Sequence, residues 1–515
     1  MSRLLRSTGI VAVSTLASRI LGLARDMLMA AFFSATGATD AFYVAFRIPN
    51  MARRFVAEGV LTISFIPVYT EYLVERGREE AFDLARKTLT LLLILLSVLV
   101  ALGIIFSPQI VRIIAVGFSD RSQIHAAVAM TQIMFPFLFL VSVTAFCTGV
   151  LNSHRYFFAP AFAPFVLNIG IIAGILFLGG IFEEPLYGVS IGVLIGGLLQ
   201  IALQIPYLVK TGFRMKLTLD LKHPGLRRIF SLAAPGIFSM GVQQINTLVV
   251  TLLGSFLASG SISYIYFSDR LHELVLGIFV VSIANVILPE MSALAAEGNR
   301  EKLMGVYRTA VRSVLLVAIP AAAALMAVGY PVISVLFMHN KFTAVDAEMT
   351  YRALLYASIG IPAMAVIRLT NLLFYALHDS RPPFYAAIIS LVVTAFTGYI
   401  LMQTELRHAG LTLAVSVASM VQMIVLVGLL KSRIRDIGLG EIIRTAIKHI
   451  VSASIMVLVI RVLAGQIDWS MDPLIKRLLF LAAIILTGGG VYLACCHILR
   501  VKEIKMFMEG LRRGR

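Results

Sequence analysis

The sequence predicts an all-α polytopic membrane protein of about fourteen transmembrane helices, built as two parallel six-helix repeats followed by two extra C-terminal helices. Three observations lead there. Hydrophobic residues make up 59% of the 515 positions and charged residues only 14%, with a mean hydropathy of +0.92, far too apolar for a soluble globular protein. Uninterrupted runs such as "TLTLLLILLSVLVALGIIF" (88–106) and "VLNIGIIAGILFLGGIF" (166–182) recur along the chain, and each matches the roughly 20 residues a helix needs to cross a bilayer. A transmembrane barrel would instead alternate over about 10 residues per strand. The third observation is an internal similarity between two parts of the chain, at a shift of 222 to 226 residues.

The first span, near 8–33, stays apolar to Phe33 and has no small-residue cleavage site after a short core. It therefore reads as a retained helix rather than a cleavable signal peptide. The second, 40–70, is long and holds Pro49, which cannot donate a backbone hydrogen bond and should kink the helix. Spans three to six fall near 88–107, 124–152, 159–180 and 186–209. Their glycine pairs, Gly179–Gly180 and Gly196–Gly197, suit close helix contact. Spans seven to twelve follow near 229–257, 262–294, 313–336, 347–377, 383–402 and 410–430, and the last two near 449–465 and 478–499. Cys147, Cys495 and Cys496 all lie in apolar segments without metal-ligand spacing and read as packing residues.

The net charge of +17 raises nucleic acid as a partner, but the placement of the charges argues against it. With the N-terminus in the cytoplasm, the inner loops and the tail hold most of the 44 Lys and Arg, whereas the outer loops hold only Arg112, Arg121, Lys341, Arg407, Arg461, Lys476 and Arg477. This is a positive-inside pattern, and it predicts that both termini are cytoplasmic. It leaves Arg19, Arg25, Arg47, Arg53, Arg54, Arg270, Arg352 and Arg368 inside the spans.

The internal similarity organises the spans. Residues 41–90 lie over 263–312, pairing Pro67 with Pro289, Arg78 with Arg300 and Arg86 with Arg308; residues 134–158 lie over 360–384, pairing Pro136 with Pro362 and Arg155 with Arg381. Six spans separate the copies. An even number keeps their orientation the same, which makes them parallel repeats of the kind that place a transporter's substrate site between its halves. The expected domains are a lobe at 1–220, a second at 221–440, and an unpaired pair of helices with a basic tail at 441–515.

The charges within the spans are the functional signal. At about 1.5 Å per residue, Arg19 lies some 20 Å beyond Arg6, near mid-membrane, where a charge costs roughly 2.5–3.5 kcal/mol on insertion scales. Arg19 and Asp26 are seven residues apart and share a face of the helix, with Arg25 adjoining Asp26. In "FRIPNMARRFVAEG" (46–59), Arg54 and Glu58 are spaced to pair, which leaves Arg53 without an obvious local partner; in "YFSDRLHEL" (266–274), Arg270 can pair with Asp269 or Glu273. Either these groups stitch helices together as ion pairs, or the guanidinium groups await an anion, for which their fork suits phosphate oxygens. Spans one and two offer five arginines against Asp26, Asp40 and Glu58, which favours the anion. His272 and His378 are isolated, no phosphate-binding GxxxxGK[ST] loop is present, and neither a metal-ligand cluster nor a nucleophile–base arrangement stands out.

With "SRILGLARD", "ATDAFYVAFRIPNMARRFVAEG", "SFIPVY" and "YFSDRL" in this order, the chain resembles the MurJ (MviN) family of bacterial lipid II flippases, in the multidrug/oligosaccharidyl-lipid/polysaccharide exporter superfamily. The N-terminal string is specific; the later helices are similar mainly in layout. The resemblance implies a two-lobed carrier with a V-shaped cavity in the bacterial cytoplasmic membrane. Such a carrier is not an enzyme, acts as a monomer among membrane lipids, and moves lipid II from the inner to the outer leaflet by alternating access. It puts the family's essential arginines on Arg19, Arg25, Arg53 and Arg270 and its acidic cavity positions on Asp26, Asp40, Glu58 and Glu273, with the last two helices lining a lipid-tail groove. No cofactor is expected. Some members resemble sodium-coupled carriers with an acid in the seventh helix, yet "QQINTLVVTLLGSF" (243–256) has none. Asn371 and Asp379 remain weak sodium-ligand candidates, and membrane potential is the alternative driving force, at about 2.3 kcal/mol per charge per 100 mV. The rivals are an exporter of another polyprenyl-linked oligosaccharide, a drug antiporter, a membrane enzyme acting on a polyprenyl phosphate, and a non-transporting scaffold. The arginine excess and the scattered acids count against the antiporter and the enzyme.

Overall fold

A computed structural model describes residues 2–220, 222–434, 437–501 and 503–504, without the side chains of 2–8, 10, 52, 56–60, 63, 234–240, 243, 278–279, 281 and 285. Every regular element among the described residues is helical. The chain forms two compact units, Met1–Gly260 and Ser261–Arg515.

In the first unit, α1 (Ser2–Phe33) leads through a short turn into α2 (Gly37–Arg53). Thr36 caps α2 by accepting the N–H of Thr39, and Asp40 lies in the first turn, where a carboxylate suits the helix dipole. Pro49 sits inside α2, but the helix leaves α geometry only at Arg54, in a π-helical stretch Arg54–Phe65 that hands over to α3 (Ile66–Glu75). The reason lies downstream: the ring of Pro67 crowds the carbonyl four residues back, and the wider turns relieve it, with the Ile66 N–H bonding to the carbonyl of Leu61. Then come α4 (Arg78–Ile105), the short α5 (Ser107–Ile114), α6 (Arg121–Met134), α7 (Pro136–Ser153), α8 (Phe158–Ala173), α9 (Pro185–Lys210) and α10 (Pro224–Ser255). The core holds Phe65, Tyr69, Phe82, Phe146 and Phe213. α10 packs on the π-helical stretch and groups with this unit.

The glycines of α8, of the π-helical turn Gly174–Leu178 that continues it, and of α9 allow the backbones to touch. A β-carbon on Gly170 would lie 2.4 Å from the Cα of Gly196, and one on Gly174 would lie 2.8 Å from the carbonyl oxygen of Gly188. Backbone cannot give way as a side-chain tip can, so overpacking here costs at least the usual 1–3 kcal/mol. Gly170→Val is therefore expected to lower the amount of protein in the membrane severalfold by immunoblot, whereas Gly180→Ala, where nothing lies within 4 Å, leaves it unchanged.

The second unit runs α11 (Ser261–Val275), a π-helical stretch Leu276–Val280, α12 (Val281–Ala296), α13 (Arg300–Leu336), α14 (Ala344–Ser358), α15 (Ile361–Ala376), α16 (Arg381–Leu401), α17 (His408–Arg433), α18 (Leu439–Ala464) and α19 (Leu474–Ile498). α13 starts well before its apolar part because Asn299 caps it, accepting the N–H of Lys302 at 3.2 Å. α14 and α15 meet at a bend of 45°. α18 and α19 fasten onto α13: Tyr492 donates to the carbonyl of Leu316 at 2.8 Å, and Arg312 pairs with Glu441 and Glu503. Tyr307, Phe374, Leu426, Met456 and Tyr492 share one core.

Among the described residues, nine helices are long and apolar enough to span a membrane, or ten counting the bent pair. Outside that set fall α1, α2 with α3, the short α5, α10, and α11 with α12; Arg19, Arg25, Arg53 and Arg270 lie on helices of this group.

Candidate functional site

In α1, Arg25 and Asp26 form one charged unit. The Nε and Nη2 of Arg25 donate to Asp26 Oδ1 at 3.0 and 2.7 Å, and its Nη1 donates to Asn168 Oδ1 at 3.0 Å. The Asn168 amide in turn donates to the carbonyls of Ser18 at 3.3 Å and Pro164 at 3.1 Å. α8 thus fixes the orientation of the guanidinium, and Asp26 is buried beside it. Burying a charge demands this kind of pairing. Arg19, about two turns earlier, is half-buried.

Asp40 belongs elsewhere. It is buried, and its Oδ2 accepts the Gly260 N–H at 2.7 Å. It borders a cavity of about 740 Å³ with Gln123, His125, Glu184, Tyr187 and Ser259. Also on this cavity is Asp120, whose carboxyl is held below the usual range by hydrogen bonds from the Ser122 hydroxyl and backbone N–H. Thirteen residues of helix, roughly 20 Å, separate Asp40 from Arg53. The Nε of Arg53 donates to Asn50 Oδ1 at 3.0 Å, a local partner that the sequence reading did not supply. Glu58 is in the π-helical stretch, where the turn is wider than the i,i+4 spacing assumes; its side chain lies outside those described.

Sequence reasoning placed Arg47 within a span but named no partner for it. Its Nη1 donates to the carbonyl of Thr247 at 3.0 Å and to the hydroxyl of Thr251, joining α2 to α10. The available signal was its presence among the arginines within the spans.

In the second unit, the Nη1 of Arg270 meets Glu273 Oε2 at 2.9 Å, and its guanidinium lies 4.6 Å from the centre of the Tyr266 ring. The pair is partly open, with side chains 31% and 51% exposed, and open pairs of this kind contribute about 0–1 kcal/mol to stability. Asp379 accepts the Arg381 N–H at 3.1 Å and pairs with Arg433. Asn371 lies within α15, eight residues before Asp379, which comes after that helix ends at Ala376, and its buried Oδ1 has no hydrogen-bond partner. Among the described residues no group of three or more His, Cys, Asp or Glu could hold a metal. His272 is buried and His378 exposed.

Long apolar helices, some with arginines held in hydrogen-bonded or ion-paired positions, define an all-helical, multi-pass membrane protein. Solved structures share this fold. A lipid II flippase MurJ in an inward closed conformation matches with a TM-score of 0.80 at 26% identity, covering 96% of this chain and 99% of that one. An inward-facing multidrug resistance transporter of the MATE family matches with a TM-score of 0.70 at 17% identity over 82% of this chain and 98% of that one, a likeness of fold alone. The family model for lipid II flippase MurJ matches residues 29–480. The lipid II flippase MurJ of Burkholderia cenocepacia is 33% identical over 497 residues, which is 95% of this chain and 96% of that one. The chain belongs to the MurJ lipid II flippase family.

Proposed function

We propose that this chain carries lipid II from the inner to the outer leaflet of the bacterial cytoplasmic membrane by alternating access. The observation that carries the reading is the near end-to-end likeness to a named lipid II flippase, in a chain that keeps Arg25 oriented by Asp26 and Asn168 and Arg270 on a partly open face. Guanidinium forks match pyrophosphate oxygens. Arg19, Arg25, Arg53 and Arg270 bind the pyrophosphate, while Asp26 and Glu273 position Arg25 and Arg270 rather than touching it. Asp40 acts at the start of α2, where it accepts the Gly260 N–H, and Glu58 keeps the substrate-binding role that the resemblance gives it. The headgroup crosses through a polar route while the lipid tail stays in the bilayer, which avoids moving sugar, peptide and phosphate through hydrocarbon. The pairing of Asp379 with Arg433 supports a structural role for that carboxylate instead of sodium binding, and membrane potential on the basic helices drives the cycle.

Residues 1–220 and 221–440 are the two repeats; a π-helical stretch ahead of a proline in each, Pro67 and Pro289, supports their kinship. α18 and α19 guide the lipid tail, and the chain works as a monomer. Both termini are cytoplasmic, so Ser259, which is exposed, faces outward. In a background lacking Cys147, Cys495 and Cys496, Ser259→Cys is expected to react with an impermeant thiol reagent in intact cells. Reaction only after the cells are opened overturns that topology. The transport reading is tested with the purified chain in vesicles that contain lipid II. Protein-dependent appearance of lipid II at the opposite leaflet is expected, and transbilayer movement no faster than in protein-free vesicles contradicts it.

A further inference from the structure

Between α9 and α10 runs a segment, "TGFRMKLTLDLKH" (211–223), that is non-helical at 211–220 and 222–223. Apolar and polar residues alternate along it. Phe213 is buried in the core of the first unit, but Met215, Leu217 and Leu219 are 46%, 70% and 67% exposed. Arg214 and Lys216, also exposed, stand between them, and Lys222 follows. Asp220 is the one acid in the run. It pairs with Lys87 at 2.9 Å and accepts the Lys222 N–H at 3.0 Å, so the basic residues dominate the exposed side chains.

The height of the segment is set by α4. Arg86 donates to the carbonyl of Arg214 at 3.4 Å, and the Thr218 N–H donates to the Thr90 hydroxyl at 2.9 Å. Thr90 lies two residues into the apolar run that starts at Thr88, about 3 Å along the helix. The segment therefore rides where α4 passes from the polar interface into hydrocarbon. At that level large apolar side chains are covered by acyl chains and basic ones meet headgroups.

We propose that residues 214–219 form an interfacial anchor that inserts Met215, Leu217 and Leu219 at the acyl boundary and binds anionic phospholipid headgroups through Arg214 and Lys216. Addition of a partner's peptide strand is the competing use of an exposed alternating segment. It fits poorly, because the Thr218 N–H and the Arg214 carbonyl that such a strand would pair with are already bonded to α4. The charge complementarity is with an anionic surface, whose pull on each nearby Lys or Arg is substantial and salt-screened.

The test uses the full-length chain without its three native cysteines, carrying Leu217→Cys labelled with an environment-sensitive fluorophore. It is reconstituted in vesicles of phosphatidylcholine alone or mixed with phosphatidylglycerol, with no other protein present. Lipids brominated near the headgroup should quench the probe more than lipids brominated near the chain ends. Quenching should deepen about twofold in the anionic vesicles, and that gain should vanish with Arg214→Gln combined with Lys216→Gln or in about 0.5 M salt. A probe at exposed Glu75, introduced as Glu75→Cys, should stay unquenched. Absence of quenching at position 217 in both vesicle types overturns the anchor. Equal quenching in the two overturns its anionic preference.

Discussion

Arg270→Ala is expected to reduce lipid II translocation about 10- to 100-fold, the loss of one or two charge-assisted hydrogen bonds to a phosphate, while the amount of protein in the membrane stays within twofold of wild type. The geometry separates this from a structural role. Arg270 meets Glu273 across a partly open pair and stacks on Tyr266, so its removal strands no deeply buried acid at this contact. Arg270→Lys keeps the charge but loses the fork and should recover only part of the activity. If Arg270→Ala with Glu273→Gln restored transport, the ion pair would matter rather than the anion, and the ligand role would fail. Arg25→Ala behaves differently because Asp26 is buried against it. Leaving that carboxylate uncompensated costs roughly 3–5 kcal/mol, so abundance falls as well. Adding Asp26→Asn should restore the abundance without restoring transport.

Cross-linking Gly37→Cys to Ser259→Cys is expected to stop transport almost completely, with recovery on reduction. A β-carbon on Gly37 would lie 2.9 Å from the Ser259 hydroxyl oxygen, which places the two positions within disulfide reach. The same region is tied by Asp40 to the Gly260 N–H and by the Gly117 N–H to the Ser255 hydroxyl at 3.0 Å. On the alternating-access reading proposed above, the start of α2 and the turn after α10 separate once per cycle. Gel mobility with and without reductant, in a background lacking the three native cysteines, gives the cross-linked fraction. Undiminished flipping by fully cross-linked protein would show that this contact stays closed throughout.

The helical class was legible because apolar run length is a direct reading of bilayer thickness, and the arginines were legible because a charge at depth is conspicuous against such runs. Arg25 and Asp26 were seen as a pair because they adjoin. Their third partner, Asn168, was not, since nothing local marks an asparagine 143 residues away as the group that orients a guanidinium. The partners of Arg47 went unseen for the same reason, its acceptors on α10 being remote. The second span shows a different failure. Pro49 drew attention as a helix breaker, yet the departure from α geometry runs from Arg54 to Phe65, ahead of Pro67. The short α5, with its eight residues, was too brief to register as a separate helix beside a long apolar span.

The central claim is that this chain moves lipid II, and the most direct measurement is made in a bacterium whose own lipid II flippase can be shut off. Outer-leaflet lipid II is followed with an externally added enzyme that cleaves the exposed precursor and cannot cross the membrane. Cells carrying this chain should keep lipid II cleavable from outside and continue to grow, whereas cells carrying the Arg270→Ala variant at equal abundance should accumulate protected lipid II and lyse. Protected lipid II and lysis in cells with abundant, membrane-inserted wild-type chain would contradict the account.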